Sequence, residues 1–497
     1  MHRGIPRPWT WIVAAAALSA MATGVHAQQY PMADPPYYAD EGGMAVQAVA
    51  DPAGTPDLAA RVAELEIALQ KAAQKEADEK KKAAGRPTVV VQGRVHADTL
   101  FFNQGDESRN RLGDIQDAAY FRSARLGVAG EMFDVFTYRL DVDFANVADY
   151  TTGNPNPPNP GGVPDHTHTI RDVDATSFKD VYLGIRELPL AGTVQIGHYK
   201  EPFSLEQLTS NRFTSFMERS LADTFVPRRN LGVMAMNTYG DEQGTWALGI
   251  FRTMGDIPPF RADDDGGRAI TARVTWLPWY DEATEGRGLF HLGAAYSYRD
   301  LDTTTLRFSA RPEIVSMKDE TGANRAVADT GNIADSVDHH LFGPEAAFVY
   351  GPFSIQSEWI GTTVNRTGQA PDAYFSGYYF YVSYFLTGEN RVYRRSAGVF
   401  DRVKPYENFF RVRTADGDVR TGRGAWEILY RYSCIDLQDP GAGINGGTAD
   451  DHTFGVTWYW NPYAKVLFNY IHTTAARQGA GWAVPMDIFG MRMALEY

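Results

Sequence analysis

The chain carries one cysteine, Cys434, so no intrachain disulfide can form and a thiolate-rich metal site is excluded. Lysine is scarce beyond Thr88, where only Lys179, Lys200, Lys318, Lys404 and Lys465 occur and arginine carries the remaining basic charge. Basic residues are outnumbered 47 to 61 and the net charge is −14, which disfavours a nucleic-acid binder, since that needs a basic footprint. Past residue 22 no stretch approaches the roughly 20 apolar residues of a spanning helix. Catalytic signatures are missing as well: there is no phosphate-cradling glycine-rich loop, no G-x-S-x-G elbow and no His-Glu-x-x-His.

What is present begins with an export signal. Arg3 and Arg7 precede an apolar run from Trp9 to Ala22, and Val25-His26-Ala27 is a small-x-small cleavage site, so residues 1–27 read as a signal peptide cut after Ala27. Its loss leaves 45 basic against 61 acidic residues, a mature charge of −16. Residues 28–56, rich in Pro, Ala, Asp and Tyr, read as a flexible spacer. In 57–86, Leu58, Val62, Leu65, Leu69 and Ala72 form an a/d seam of about two heptads before Lys80-Lys81-Lys82 and Pro87. Either a tethered coiled coil or a solvated helix fits that segment, because two heptads are too short to stand alone.

From residue 87 to 497 the period is two. Val89, Val91, Val95 and Ala97 alternate with Gln92, Arg94, His96 and Asp98; Tyr138, Leu140, Val142 and Phe144 alternate with Arg139, Asp141 and Asp143. The same pattern runs through 180–186, 270–276 and 453–460, and the last residues, MRMALEY, put Met491, Met493, Leu495 and Tyr497 opposite Arg492, Ala494 and Glu496. A sandwich core would not accept Arg139, Asp141 and Asp143 together, whereas a water-filled lumen would. Behind an export signal, the alternation predicts an all-β, antiparallel transmembrane barrel of about sixteen strands in contact with outer-membrane lipid. Short turns (Met132–Asp134, Glu187–Gly192, Asp241–Gly244, Gly351-Pro352) alternate with longer loops (103–118, 148–176, 200–230, 254–266, 300–341), the pattern of periplasmic turns and external loops. Segment 388–423 breaks it by being long where a short turn is due. Trp276, Trp279, Tyr280, Trp458, Trp460, Tyr463 and Tyr497 suit interfacial girdles.

Metal and acid–base chemistry find little support. His166/His168 and His339/His340 lie in polar loop sequence without carboxylates at ligand spacing, Asp263-Asp264-Asp265 reads as an acidic external loop, and Asp141/Asp143 read as lumen wall. No metal or cofactor is expected. Transport fits better: loop 200–230 holds Lys200, Arg212, Arg219, Arg228 and Arg229, and segment 388–423 holds Arg391, Arg394, Arg395, Arg402, Lys404, Arg411, Arg413, Arg420 and Arg423. Arginine rings in a constriction favour anions, while the same residues on a hydrated loop give only solubility, and the sequence leaves open which way these loops fold.

Six blocks carry a family resemblance: FRSARLGVAGE (121–131), IGHYKEPFSLEQLTSNRFTSFMERS (196–220), GYYFYVSYFLTGENRVY (377–393), FDRVKP (400–405), GAWEILYRYS (424–433) and WNP (460–462). In their order and spacing the chain resembles the phosphate-selective porin O and P family. The resemblance implies a trimer of sixteen-stranded barrels, with two external loops and one periplasmic segment folded into the lumen. It further implies an anion constriction built from Asp180 (in FKDVYLGI), Ser210, Asn211 and Arg219, with Arg122 and Arg125 tracking anions beside it. A lysine of the phosphate-binding members is matched by Gln207, a departure that counts against strict phosphate selectivity. The expected function is an outer-membrane homotrimeric porin passing small anions, phosphate a candidate among them, without enzymatic activity. The alternatives are a general diffusion porin and, from another class, an exported all-β binding protein or carbohydrate-active enzyme.

Overall fold

The computed structural model describes residues 87–145, 177–253, 267–301, 305–413 and 417–497, with isolated helical positions at Ile67, Lys71, Gln74 and Lys75. The expected signal peptide and spacer, the seam Leu58/Val62/Leu65/Leu69/Ala72, His166/His168, Asp263–Asp265 and the loops 148–176 and 254–266 lie outside the described residues.

Sixteen strands close into one antiparallel barrel. They are β1 (Val90–Gln104), β2 (Ala118–Met132), β3 (Phe136–Asp143), β4 (Ser177–Leu188), β5 (Gly192–Lys200), β6 (Arg229–Tyr239), β7 (Gly244–Arg252) and β8 (Arg268–Tyr280). The second half comprises β9 (Gly288–Asp300), β10 (Ser336–Tyr350), β11 (Phe353–Arg366), β12 (Ala373–Phe385), β13 (Ala425–Asp439), β14 (Ile444–Asn461), β15 (Ala464–Arg477) and β16 (Trp482–Glu496). Closure joins β16 to β1 from Arg94↔Glu496 to Gln104↔Met486. No sheet edge remains in the wall, so every strand can sit in hydrocarbon with its backbone satisfied.

The period-two pattern sorts the side chains as expected. Val89, Val91, Val95, Leu140, Phe454, Phe489, Met491, Met493 and Leu495 are exposed on the outer face, whereas Gln92, Arg94, His96, Asp98, Asp141, Asp143 and Arg492 are buried inside. A face of that composition is stable against lipid and costly in water. Of the girdle aromatics, Trp276, Trp279, Tyr463 and Tyr497 are outward and exposed. Tyr280 instead lies under the Arg395 guanidinium, 4.6 Å from its ring centre. The turn between β10 and β11 shows how tight one barrel end is. Gly351 takes φ 56°, a conformation that favours glycine, and Pro352 fixes the next φ.

Two loops at the opposite end fold inward. Phe203, Met217, Leu221, Ala222 and Phe225 of the 201–228 loop, with Phe308, Ala310, Ile314, Met317 and Val327 of the 301–335 loop, pack against Leu100, Phe375, Ile435, Ile471, Val484, Met486 and Ile488 on the inner wall. Each of the larger side chains, the alanines excepted, contributes on the order of 1.5–3 kcal/mol on burial. At the long-loop end the lumen beside β1 and β9–β16 therefore holds a packed apolar core, while buried charged and polar residues line the rest of the inner wall.

Two expectations need correction. His339 and His340 do not sit in a loop but in β10, where neighbouring side chains point to opposite faces. His339 is buried against Phe308 and His340 is hydrogen-bonded to Tyr296 on the other face, so they cannot share an ion. Segment 388–423 enters the lumen only in part. Glu389, Arg391, Tyr393, Val399 and Phe400 are buried, while residues 406–413 and 417–421 are, apart from Val412, exposed and form a hairpin of Phe410–Arg413 with Val419–Gly422. Phe409 packs on Trp458 and Trp460, which keeps this half at the outer wall.

Candidate functional site: the charged lumen

Besides its apolar packing, the 201–228 loop is held across the lumen by hydrogen bonds and ion pairs to the wall. Glu358 of β11 accepts from the backbone N–H groups of Leu205 (3.0 Å) and Glu206 (2.6 Å). Arg431 of β13 donates to Glu206 (2.9 Å) and also to Glu313 of the 301–335 loop, so one guanidinium ties both loops to the wall. Lys465 donates to the carbonyls of Arg212 (2.8 Å) and Thr214 (2.9 Å). Arg492 is clamped on Asp98 at 2.7 Å twice and reaches Glu218, which also takes both donors of Arg122 (2.7 and 3.1 Å). Burial would raise the Glu218 carboxyl, but Arg122 and Arg492 outweigh it and hold it at about 2.

On the opposite wall the charges form a ring segment. Arg94 of β1 stands directly across from Arg125 of β2, and Arg125 from Asp143 of β3. Lys200 and Arg229 likewise face each other across β5 and β6. Like charges placed opposite destabilise a strand pair unless they are countered. Asp143 holds Arg125 (2.9 Å), Asp141 holds Arg139 (2.7 Å) and Asp180 holds Arg229 through two bonds of 3.0 and 2.9 Å. Arg94 has no such partner. Its Glu496 neighbour is taken by His96 (3.0 Å), and its buried Nε and Nη1 bond to nothing. Arg212, at the loop tip, lies over the Phe213 ring (5.4 Å) and forms no ion pair among the described residues, with Glu496 its nearby carboxylate. Arg125, Arg212, Arg229 and the Glu496 carboxylate are all within electrostatic reach of Arg94.

The residues expected from sequence are distributed unequally. Arg125 and Asp180 belong to this charged wall. Ser210 and Asn211 lie at the turn of the inward loop, where Ser210 Oγ accepts from the Arg212 N–H at 3.3 Å. Arg219 is turned onto its own loop, donating to the carbonyls of Glu206 (3.0 Å), Gln207 (3.2 Å) and Thr209 (3.2 Å) and to Asn211 Oδ1. Arg122 docks the loop through Glu218. Gln207 stands where the resemblance implies a lysine, yet the Lys200 ammonium donates to its carbonyl, so a cation reaches that point from β5. Sequence reasoning did not single out Arg94 as a site residue. Its signal was available in the inward phase it shares with Gln92, His96 and Asp98.

A closed sixteen-stranded antiparallel barrel, apolar outside and charged within, with loops folded into the lumen, is the architecture of an outer-membrane porin. The chain belongs to the phosphate-selective porin O and P family, whose model matches residues 89–497. It is 26% identical over 405 residues to Porin O of Pseudomonas aeruginosa, spanning 76% of this chain and 81% of that one. An uncharacterized protein of Caulobacter vibrioides is 28% identical over 341 residues, 65% of this chain and 62% of the other. Among solved structures, the anion-selective porin from Comamonas acidovorans is 13% identical, with 82% of this chain and 100% of that chain covered and a TM-score of 0.44. OmpT of Vibrio cholerae is 12% identical, with 83% and 98% covered and a TM-score of 0.45.

Proposed function

We propose that this porin passes small anions, phosphate among them, by diffusion through a constriction between the inward loop and the β1–β6 wall. The observation that carries the reading is the unequal pairing of charge. Arg125, Arg139 and Arg229 are each ion-paired with a carboxylate, whereas Arg94 and Arg212 form no ion pair among the described residues and share only the nearby Glu496. An oxyanion at this wall would meet guanidiniums that are already partly desolvated, Arg94 buried and Arg212 half-buried, which favours the encounter. Asp180, Asp143 and Asp141 keep the field moderate, so that a bound anion leaves. Ser210 and Asn211 offer a hydroxyl and an amide in place of lost water, and Arg219 shapes the loop that presents them. Membership of a family described as phosphate-selective supports phosphate as a substrate. Gln207 in place of a lysine favours a second reading, a general diffusion channel with little ion preference.

Reversal potentials of single channels in a chloride gradient test the proposal, with block of chloride current by added phosphate as the second readout. Anion preference with micromolar to millimolar block is expected. Equal permeability of both ions would leave the general channel. The mature chain begins near Gln28 and assembles as a trimer in this reading. N-terminal sequencing of the membrane form tests the first point. Heat-modifiable oligomers from a variant lacking residues 28–86 test whether the barrel wall, not the N-terminal seam, holds the assembly.

A further inference from the structure

We propose that the hairpin Phe410–Arg413/Val419–Gly422 is a membrane-surface arm that binds the anionic phospholipid headgroups of the leaflet at the short-turn end of the barrel. Porin function leaves this hairpin unexplained, because it lies outside the lumen and touches no constriction residue.

Its attachment sets its position. The indole N–H groups of Trp426 and Trp458 both donate to the Arg423 carbonyl, at 3.3 and 2.9 Å. Those two rings stack at 4.8 Å on the outward face of β13 and β14, since their neighbours Glu427 and Thr457 are buried inside. The Phe409 N–H donates to the Trp460 carbonyl at 2.6 Å, and its ring meets Trp458 edge-on at 4.5 Å. The arm is therefore anchored at both of its ends to an outward tryptophan cluster. Outward tryptophans of a barrel sit at the headgroup level of the bilayer.

The composition of the arm fits the same level. Arg411, Arg413, Arg420 and Arg423 are exposed, and none has an ion-pair partner among the described residues; Lys404 lies just upstream, and Glu407, Asp416 and Asp418 are the carboxylates of the same stretch of sequence. Phe410 is 60% and Val419 49% exposed, apolar surface that water disfavours. A two-stranded hairpin is marginal in water by itself. Apolar side chains set at the acyl boundary, with guanidiniums extended to phosphates, satisfy both halves of this composition. The patch is also basic against a chain of net charge −14, so its sign is a local feature of the arm. Charge complementarity with phosphate and continuity with the lipid-facing girdle select an anionic lipid over the matching arm of a second barrel, which is equally basic.

Native mass spectrometry of the full-length oligomer, given mixed phosphatidylglycerol and phosphatidylethanolamine, reads the interaction directly. The wild-type protein should retain phosphatidylglycerol preferentially, and the preference should fade as salt is raised. Each of Arg411→Gln, Arg413→Gln, Arg420→Gln and Arg423→Gln should lower that preference by roughly fivefold at low salt. Single-channel conductance and heat-modifiable migration should stay unchanged, so failure of the anion-channel reading would not touch this one. Equal retention of both lipids by the wild-type protein overturns the proposal without any variant. So does an unchanged preference in a variant combining all four substitutions, or cross-linking of the arm to a neighbouring barrel with no preferential lipid retention.

Discussion

Arg94 and Arg125 face each other across the β1–β2 register, both directed into the lumen, and only Arg125 is ion-paired with a carboxylate. The pair stores positive charge where the wall could have balanced it. Arg94→Gln should therefore lower the anion-over-cation permeability ratio without loss of assembly. One unit charge at contact distance in hydrated surroundings is worth about 1 kcal/mol, or roughly fivefold. Reversal potentials measure it; an unchanged ratio would place the selectivity elsewhere.

Arg219 should behave differently. Its guanidinium is committed to three carbonyls and to Asn211 of its own loop, so it pins the backbone that carries Ser210 and Asn211. Arg219→Ala should raise open-channel noise strongly, with a smaller shift in reversal potential than Arg94→Gln gives. A large selectivity loss with quiet channels would instead make Arg219 a direct anion ligand.

Asp180 restrains Arg229 through two bonds. In Asp180→Asn the guanidinium loses its counter-charge and stands open to anions. The anion preference should rise, and phosphate should block chloride current at several-fold lower concentration because release is slower. Weaker block in this variant would show that Asp180 acts only by placing Arg229.

Docking of the inward loop should depend on pH through Glu218. Its carboxyl is held at about 2 by Arg122 and Arg492, against an ordinary value of 4.5. A carboxylate depressed in the folded state contributes stability that is complete above the ordinary value and is lost as pH falls towards the depressed one. Channel noise should thus be flat from neutral pH to about 5 and grow below 4.5. Glu218→Gln should be noisy at every pH, and noise that grows on acidification in that variant would assign the effect to another group.

Arg273 connects the β8 wall to the inward half of the 388–423 segment, donating to Glu345 and to the Gly398 carbonyl at 2.8 Å. Glu345 is fully buried, with His291 as its remaining neighbour at 3.0 Å. Truncating one member of such a pair costs about 3–5 kcal/mol. Arg273→Ala should lower the temperature of heat modification and raise conductance as the segment leaves the lumen. Unchanged conductance at lower stability would mean the segment stays in place.

The alternation of Val89, Val91 and Val95 with Gln92, Arg94 and His96 was enough to fix the barrel, because a strand has two faces and lipid accepts only one composition. It also assigned the inward phase of Arg94, Arg125, Asp141 and Asp143, since phase is a local property. What the sequence could not determine is which arginine remains unpaired. Arg219 and Arg94 look equally available on paper, and their difference arises from contacts between positions far apart in the chain or across a folded loop. Glu496 reaches His96 from the last strand, and Arg219 finds carbonyls only after the loop has turned on itself. The split of segment 388–423 has the same origin. Its arginines read alike in sequence, but burying Arg391 required the Tyr381 and Phe400 rings and the Gln356 amide of a distant strand. Phe409 met outward tryptophans, and the arginines beyond it stayed in the solvent. Period and composition choose a fold through local sterics and solvent preference, whereas charge pairing is decided by which strands the closed barrel brings together.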